Sequence, residues 1–166
     1  AVGALLFVFV GNLRAAEITL LQAPVYINVV GDSHVDQQSH TWRADQPFDL
    51  STGFGYINSS VAASVAVGGP GIAVEGTVND LVFGPARQGM DAYIVNLPNG
   101  TYDLNLLFAE VSGDITANGQ RVFDVVVEGV TVLGNVDIYA ALGPQKATIK
   151  LIPGVVVTDS QLKVVF

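Results

Sequence analysis

The chain has 166 residues, half of them apolar and only 13% charged, a composition that fits one domain with a sizeable core and excludes disorder. Fifteen carboxylates against seven Lys and Arg give a net charge of −8, so no basic face is available for nucleic acid. The absence of cysteine excludes disulfide scaffolds and Cys-based zinc sites.

The chain opens on an apolar run, Ala1 to Gly11, with nine apolar residues in its first ten. A bilayer span takes about 20 apolar residues, so no membrane span is expected here. The run has the length of a signal-peptide h-region, with small residues at Ala15 and Ala16, but it carries neither an initiating Met nor a basic n-region. As a strand it places Leu5, Phe7 and Phe9 on one face and Leu6, Val8 and Val10 on the other. Both faces are apolar, and such a strand must be covered on both sides. Its acceptor is either its own sandwich or a groove in a neighbouring subunit, where a donor strand builds an open polymer. The expectation is the second: Leu5, Leu6, Phe7, Val8, Phe9 and Val10 as subunit contacts, residues 1–20 as segment and connector, and residues 21–166 as the domain proper.

From Ile18 onward, short apolar runs recur between Gly, Asn, Asp and Pro: "ITLL", "VYINVV", "VAASVAV", "GIAVEGTV", "DAYIVNL", "TYDLNLLFAEV", "QRVFDVVVEGVTVL", "KATIKLI" and "QLKVVF". Several alternate with period two. In "TYDLNLLF", Tyr102, Leu104, Leu106 and Phe108 share one face; in "RVFDVVV", Val122, Asp124 and Val126 oppose Arg121, Phe123, Val125 and Val127. Roughly ten short strands at this spacing predict a single all-β sandwich or jelly roll. No repeat, linker or helical periodicity is present.

"VYINVVGDSHVD", Val25 to Asp36, ends its apolar run in Gly31-Asp32-Ser33, the way one hydrolase family presents a nucleophilic serine. A serine nucleophile needs a base in hydrogen-bond reach and a third group to orient that base. The only histidines are His34 and His40, and none occurs in the last hundred residues, where that family carries its Asp-x-x-His. That family also needs a parallel sheet with crossover helices. Ser33 is therefore read as a loop residue, and no enzymatic activity is expected. Asp32, His34, Asp36, His40 and Asp45 fall within fourteen residues, but not at EF-hand or His-Glu-x-x-His spacing. They read as turn formers and strand caps. No metal site or cofactor is predicted, although an acidic sandwich can take up calcium adventitiously.

With its neighbours, the same stretch resembles the malectin and malectin-like domain family. "INVVGDSHVDQQSHTWRADQPF" is similar to its first motif, an Ile-Asn strand followed by a Gly turn, an Asp and a Trp/Phe-x-x-Asp. "DLVFGPARQGM", "LPNGTYDLNLLFAEV" and "GQRVFDVVVEGVTVLGNVDIYAALG" match later family segments in order, from Tyr26 to Phe166. The resemblance implies a jelly-roll sandwich that binds carbohydrate without catalysis. Asn28, Asp36, Trp42 and Asp45 then read as framework. Glu110 and Asp124 are acids in apolar strands and need donors, for which Arg87 and Arg121 are the candidates.

Malectin-type recognition covers sugar faces with aromatic rings and fixes hydroxyls with a carboxylate. Carried over, its positions fall at Phe54 or Tyr56, then Gln88, Ser112 and Gly113, while its late carboxylate has no counterpart up to Phe166. Tyr93, Tyr102 and Phe123 sit in strand patterns and read as core. Trp42, Phe54 and Tyr56 lie in loop-like surroundings and are the residues expected to line any sugar groove. Asn58 and Asn99 head glycosylation sequons. Two functions follow: an extracellular, self-assembling structural subunit joined as a homopolymer through its N-terminal strand, or a carbohydrate-binding module of a secreted or cell-surface protein. With the family's ring positions mostly replaced, the first is the expectation.

Overall fold

The computed structural model describes residues 18–58, 65–69 and 71–166. The expected donor strand, with Leu5 to Val10, lies outside the described residues. In chain order the elements are β1 (Tyr26–Asn28), β2 (His34–Val35), β3 (Thr41–Ala44), β4 (Phe54–Ile57), β5 (Val65–Gly68), α1 (Asp80–Phe83), β6 (Pro85–Gln88), β7 (Ala92–Asn96), β8 (Gly100–Ala109), β9 (Phe123–Val127), β10 (Val130–Val136), α2 (Ile138–Leu142), β11 (Ala147–Val157) and β12 (Gln161–Val165).

The chain is a β-sandwich of the jelly-roll type. One wall is a five-stranded antiparallel sheet in the order β10-β9-β12-β7-β4; the other is the long β8–β11 pair, with β5–β6 as a smaller ribbon. The main core lies between the two walls. Tyr93, Val95, Val125, Val127, Leu162 and Val164 from the five-stranded sheet meet Leu106, Val155 and Val157 from the opposing pair. The alternation read in "TYDLNLLF" is what aims β8 inward: Tyr102, Leu104, Leu106 and Phe108 all contact this core, while Thr101, Asp103 and Asn105 face solvent. Phe123 packs against Phe108 and Phe166, with ring centroids 5.8 and 6.5 Å apart. A second cluster of Val74, Val82, Phe83, Ala109 and Val111 closes one end.

Local chemistry explains where runs break. "VVVEGVTV" folds as a hairpin with Val127 opposite Val130, and the two turn residues, Glu128 and Gly129, both have positive φ (50° and 78°). That is the type I′ geometry whose twist matches the flanking strands, and glycine takes it without strain. The apolar runs at Ile18–Leu21 and Gly71–Val78 are not strands. The first is held by main-chain bonds from Thr19 N–H to the Leu50 carbonyl (3.1 Å) and from Leu21 N–H to that of Asn96 (2.8 Å). The second contributes only an isolated bridge at Glu75 before leading into α1. One-turn helices were not expected. In α2, Asp137 is the N-cap, accepting from Ala140 N–H at 2.8 Å and from Gly119 N–H at 2.6 Å. Those two bonds hold its carboxyl below the usual range.

Candidate functional site

The site is built on the three-stranded sheet. β1 runs parallel to β3, with Tyr26 opposite Trp42, and β2 pairs antiparallel on the other side of β3, with His34 opposite the same Trp42. His40 precedes Trp42 by two residues and shares its face. Register and period therefore set four rings in a row. His40 stacks on Tyr26 with centroids 4.5 Å apart and planes 21° apart; Tyr26 lies 5.3 Å from Trp42; Trp42 and His34 are parallel at 6.1 Å.

Turn chemistry holds β1 and β2 at this spacing. Asn28 is 2% exposed, and its Nδ2 donates to the Asp32 carbonyl at 2.9 Å, bridging the Gly31-Asp32-Ser33 turn. A Cβ at Gly31 would lie 2.0 Å from Asn28 Nδ2, so the turn requires glycine. The framework reading of Asn28 thus has a physical basis.

Asp36 fixes the far side. It accepts hydrogen bonds from Trp42 Nε1 (2.9 Å), His40 N–H (2.9 Å) and Gln38 N–H (2.9 Å), and His40 Nδ1 lies 3.0 Å from its Oδ2. Partial burial pushes its pKa up, but the bonds from Trp42, His40 and Gln38 outweigh this and lower it to about 2. A folded pKa below the unfolded value contributes stability that is present above about pH 4 and lost as pH falls toward 2. Asp36→Asn should therefore flatten the pH dependence of unfolding between about pH 4 and pH 2, as urea titrations at each pH would register.

The resulting feature is an open groove of about 730 Å³, walled by Tyr26, Ser33, Ser39, His40, Thr41, Trp42, Arg43 and Gln46, with Pro24, Ala44 and Phe54 completing it. Gln46 is anchored by Nε2 donation to Thr52 Oγ1 and to the Phe54 carbonyl (3.1 Å). Ser33 is exposed on the groove wall. Neither histidine hydrogen-bonds to it: His34 Nδ1 lies near Asn28 Nδ2 and the Asp32 carbonyl, and His40 Nδ1 is on Asp36. Among the described residues no three His, Asp or Glu side chains converge in a way that could hold a metal ion.

The three ring residues singled out in the sequence occupy different environments. Trp42 is half-buried in the groove wall. Phe54 also lines the groove, but on β4 it is only 5% exposed, belongs to the main core, and lies under Arg43, whose Cζ is 5.8 Å from the ring centre. Tyr56 is outside the groove, and Arg87 Cζ sits 3.7 Å over its ring. That face is covered by a cation. Sequence reasoning missed Tyr26, His40 and Arg43 as groove residues. The signal was the period-two pair His40/Trp42, visible once Tyr26 is known to lie opposite Trp42.

The ion pairs sort differently from the expectation in one respect. Glu110, with no exposed side-chain surface, receives both its oxygens' bonds from Arg121 NH1 at 2.8 Å, plus Ser112 N–H at 3.0 Å. Arg87 instead pairs with Asp45, through Nε at 2.9 Å and through NH2. Asp45 also accepts from Val30 N–H (3.0 Å) and Tyr93 hydroxyl (3.1 Å). Burial, followed by the charge of Asp45, pushes the Tyr93 phenol pKa up. Asp124 needs no cation, being exposed and accepting from Asn135 N–H at 2.7 Å.

The family-like ring positions are also occupied by other groups. Gln88 Oε1 accepts from Arg121 NH2. Ser112 and Gly113 border a cleft of about 180 Å³ that also includes Tyr139.

The chain is a single jelly-roll sandwich with an aromatic groove beside it, and comparison with known proteins identifies the family. Residues 24–166 match the Malectin domain, and the chain belongs to that family. Receptor-like protein 4 from Arabidopsis thaliana is 44% identical over 68 residues, which is 41% of this chain and 11% of that protein. The chain thus spans about a tenth of that curated relative. Among solved structures, a β-glucuronidase from Bacteroides uniformis superposes with a TM-score of 0.72 at 19% identity, over 86% of this chain and 16% of that one. The extracellular domain of ANXUR1 from Arabidopsis thaliana gives 0.64 at 18% identity, over 84% and 41%. The plant receptor-like kinase FER, in complex with the peptide RALF23 and LLG2, gives 0.61 at 22% identity, over 84% and 42%. At these identities the structures establish the fold. No helix among the described residues is long and apolar enough to cross a membrane.

Proposed function

We propose that the chain is a non-catalytic, extracellular carbohydrate-binding module that takes sugar in the groove formed by Tyr26, His40 and Trp42. The observation that carries this reading is the row of rings beside hydroxyl and amide groups. Pyranose faces are apolar and stack on rings, while their hydroxyls need donors and acceptors such as Ser33, Ser39, Thr41 and Gln46. Family membership and the fold shared with plant receptor ectodomains support the same reading. The homopolymer expectation gains no support from the fold or the relatives. It rests on the replaced family ring positions and on Ala1 to Gly11, outside the described residues, so the module reading takes precedence.

Glycan-array screening followed by calorimetry tests it. Tyr26→Ala and Trp42→Ala should each weaken binding of any hit about tenfold, the scale of one stacked ring at roughly 1.5 kcal/mol. Because Trp42 also bonds Asp36, Tyr26→Ala is the cleaner variant. Binding unchanged by either substitution, or no glycan bound at millimolar concentration, would exclude the groove as a sugar site.

A further inference from the structure

We infer that the free edge of β11 takes up an extended segment of another polypeptide as an added strand, and that the preferred guest carries a carboxylate between two apolar residues. The edge is open over a defined stretch. Glu75 makes a single parallel bridge to it: its N–H donates to the Gln145 carbonyl (2.8 Å), and its carbonyl accepts from Ala147 N–H (2.9 Å). The next residue, Gly76, has φ 85° and turns the chain away, so the bridge is not continued. Because Ala147 N–H points away from β8, alternation sends the N–H and C=O groups of Ile149 and Leu151 the same way, while those of Thr148, Lys150 and Ile152 face β8. No described residue bonds to the outward groups of Ile149 or Leu151. Pro153 ends the stretch, having no N–H to offer.

The side chains along this edge define the strand that fits it. Ile149 and Leu151 are 58% and 56% exposed on one face of the β8–β11 pair, with Leu107 opposite Ile149. Lys150, between them on the other face, is exposed and has no ion-pair partner among the described residues. Lys146, one residue before the strand, is 3.4 Å from Glu75. The chain has only three lysines at a net charge of −8, and two of them lie along this edge. An added strand sets its residues opposite Ile149 and Leu151 on their face and the residue between them beside Lys150. The matching order is apolar, acidic, apolar. A second copy of the chain fits worse. Antiparallel pairing that sets Ile149 against Leu151 also sets Lys150 against Lys150, and like charges directly opposed repel. Edge lysines guard natural sheets against that kind of self-pairing. None of these residues lines the aromatic groove, so the surface is independent of the sugar reading.

The experiment is residue-resolved amide exchange by NMR on the whole chain, with and without the peptide acetyl-Thr-Val-Glu-Val-Thr-amide. In the free chain the Ile149 and Leu151 amides should exchange about tenfold or more faster than those of Thr148 and Lys150, which are bonded to β8. Saturating peptide should slow the first two and leave the others unchanged. Lys150→Glu should weaken this peptide about fivefold and favour acetyl-Thr-Val-Lys-Val-Thr-amide by a similar factor, the upper scale of one cross-strand ion pair. Leu151→Pro removes only an outward N–H and should abolish binding. Thermal melting verifies that both variants fold; if Leu151→Pro does not, Lys150→Glu carries the test alone. Ile149 and Leu151 amides already slow in the free chain, no binding at millimolar peptide, or a preference for the glutamate peptide that survives Lys150→Glu overturns the inference. Self-association of the free chain that is lost in Leu151→Pro overturns it too, by making a second copy the occupant.

Discussion

Replacing Asp45 by alanine should cost the domain about 3–5 kcal/mol and release the groove from the sandwich. The carboxylate is 3% exposed and lies one residue past the end of β3. It joins the three-stranded sheet, through Val30 N–H and the β3 chain, to Arg87 on β6 and Tyr93 on β7. Removing it takes the Asp45 carboxylate away from a guanidinium that is only 11% exposed and takes the acceptor from the Tyr93 hydroxyl, so buried polar groups lose bonds on both sides of the gap. Two readouts separate this from simple loss of packing. Hydrogen exchange should quicken over residues 26–44 more than over the five-stranded sheet, and glycan affinity should fall even at temperatures where the sandwich is folded. Asp45→Asn, which keeps shape and can still accept from one donor, should lose less. If Asp45→Ala is within about 1 kcal/mol of wild type in urea, this role for the carboxylate is wrong.

The second large effect is expected at Glu110 and Arg121. Arg121→Met should destabilise by about 3–5 kcal/mol, because it leaves a wholly buried carboxylate with the Ser112 N–H in place of its cation. For a chain of this length that corresponds to a melting temperature lower by roughly 10 °C. Glu110→Met combined with Arg121→Met should recover most of the loss, since the pair's attraction is offset by the desolvation of both charges. The contrast between single and double substitutions is the measurement. A single substitution as mild as the double would mean that water reaches Glu110 when Arg121 is gone.

The parts of the molecule that were legible in the sequence are those dictated by local pattern. Period-two alternation in residues 101–108 and 121–127 placed the core faces of β8 and β9, because one buried face forces that spacing. The rule that a buried acid needs a donor predicted a partner for Glu110, and Arg121, eleven residues away, is that partner. The pairing of Arg87 with Asp45 spans forty-two residues and depends on how the small sheet docks, which no local pattern carries. Phe54 and Tyr56 read as loop residues because Gly53 and Gly55 flank them, yet they form β4, where pairing with β7 overrides glycine's weak strand preference. The groove was half legible: Trp42 was singled out, but its neighbours Tyr26 and Arg43 come from strands of three and four residues, too short to show a period.

The position of β12 has a consequence for biosynthesis. This strand, Gln161–Val165, lies between β9 and β7 in the middle of the five-stranded sheet. While the ribosome is still adding its residues, β7 and β9 have a gap between them, and Tyr93, Val125 and Val127 have lost the Leu162 and Val164 side of their core. Hairpins such as β9–β10 can close as they emerge, but the wall cannot until residue 165 has cleared the exit tunnel. At about 5–20 residues per second the partly made chain therefore exposes open strand edges for many seconds. Chaperone occupancy should persist until β12 inserts, and truncations that stop short of it should be recovered as aggregates rather than as smaller folded domains.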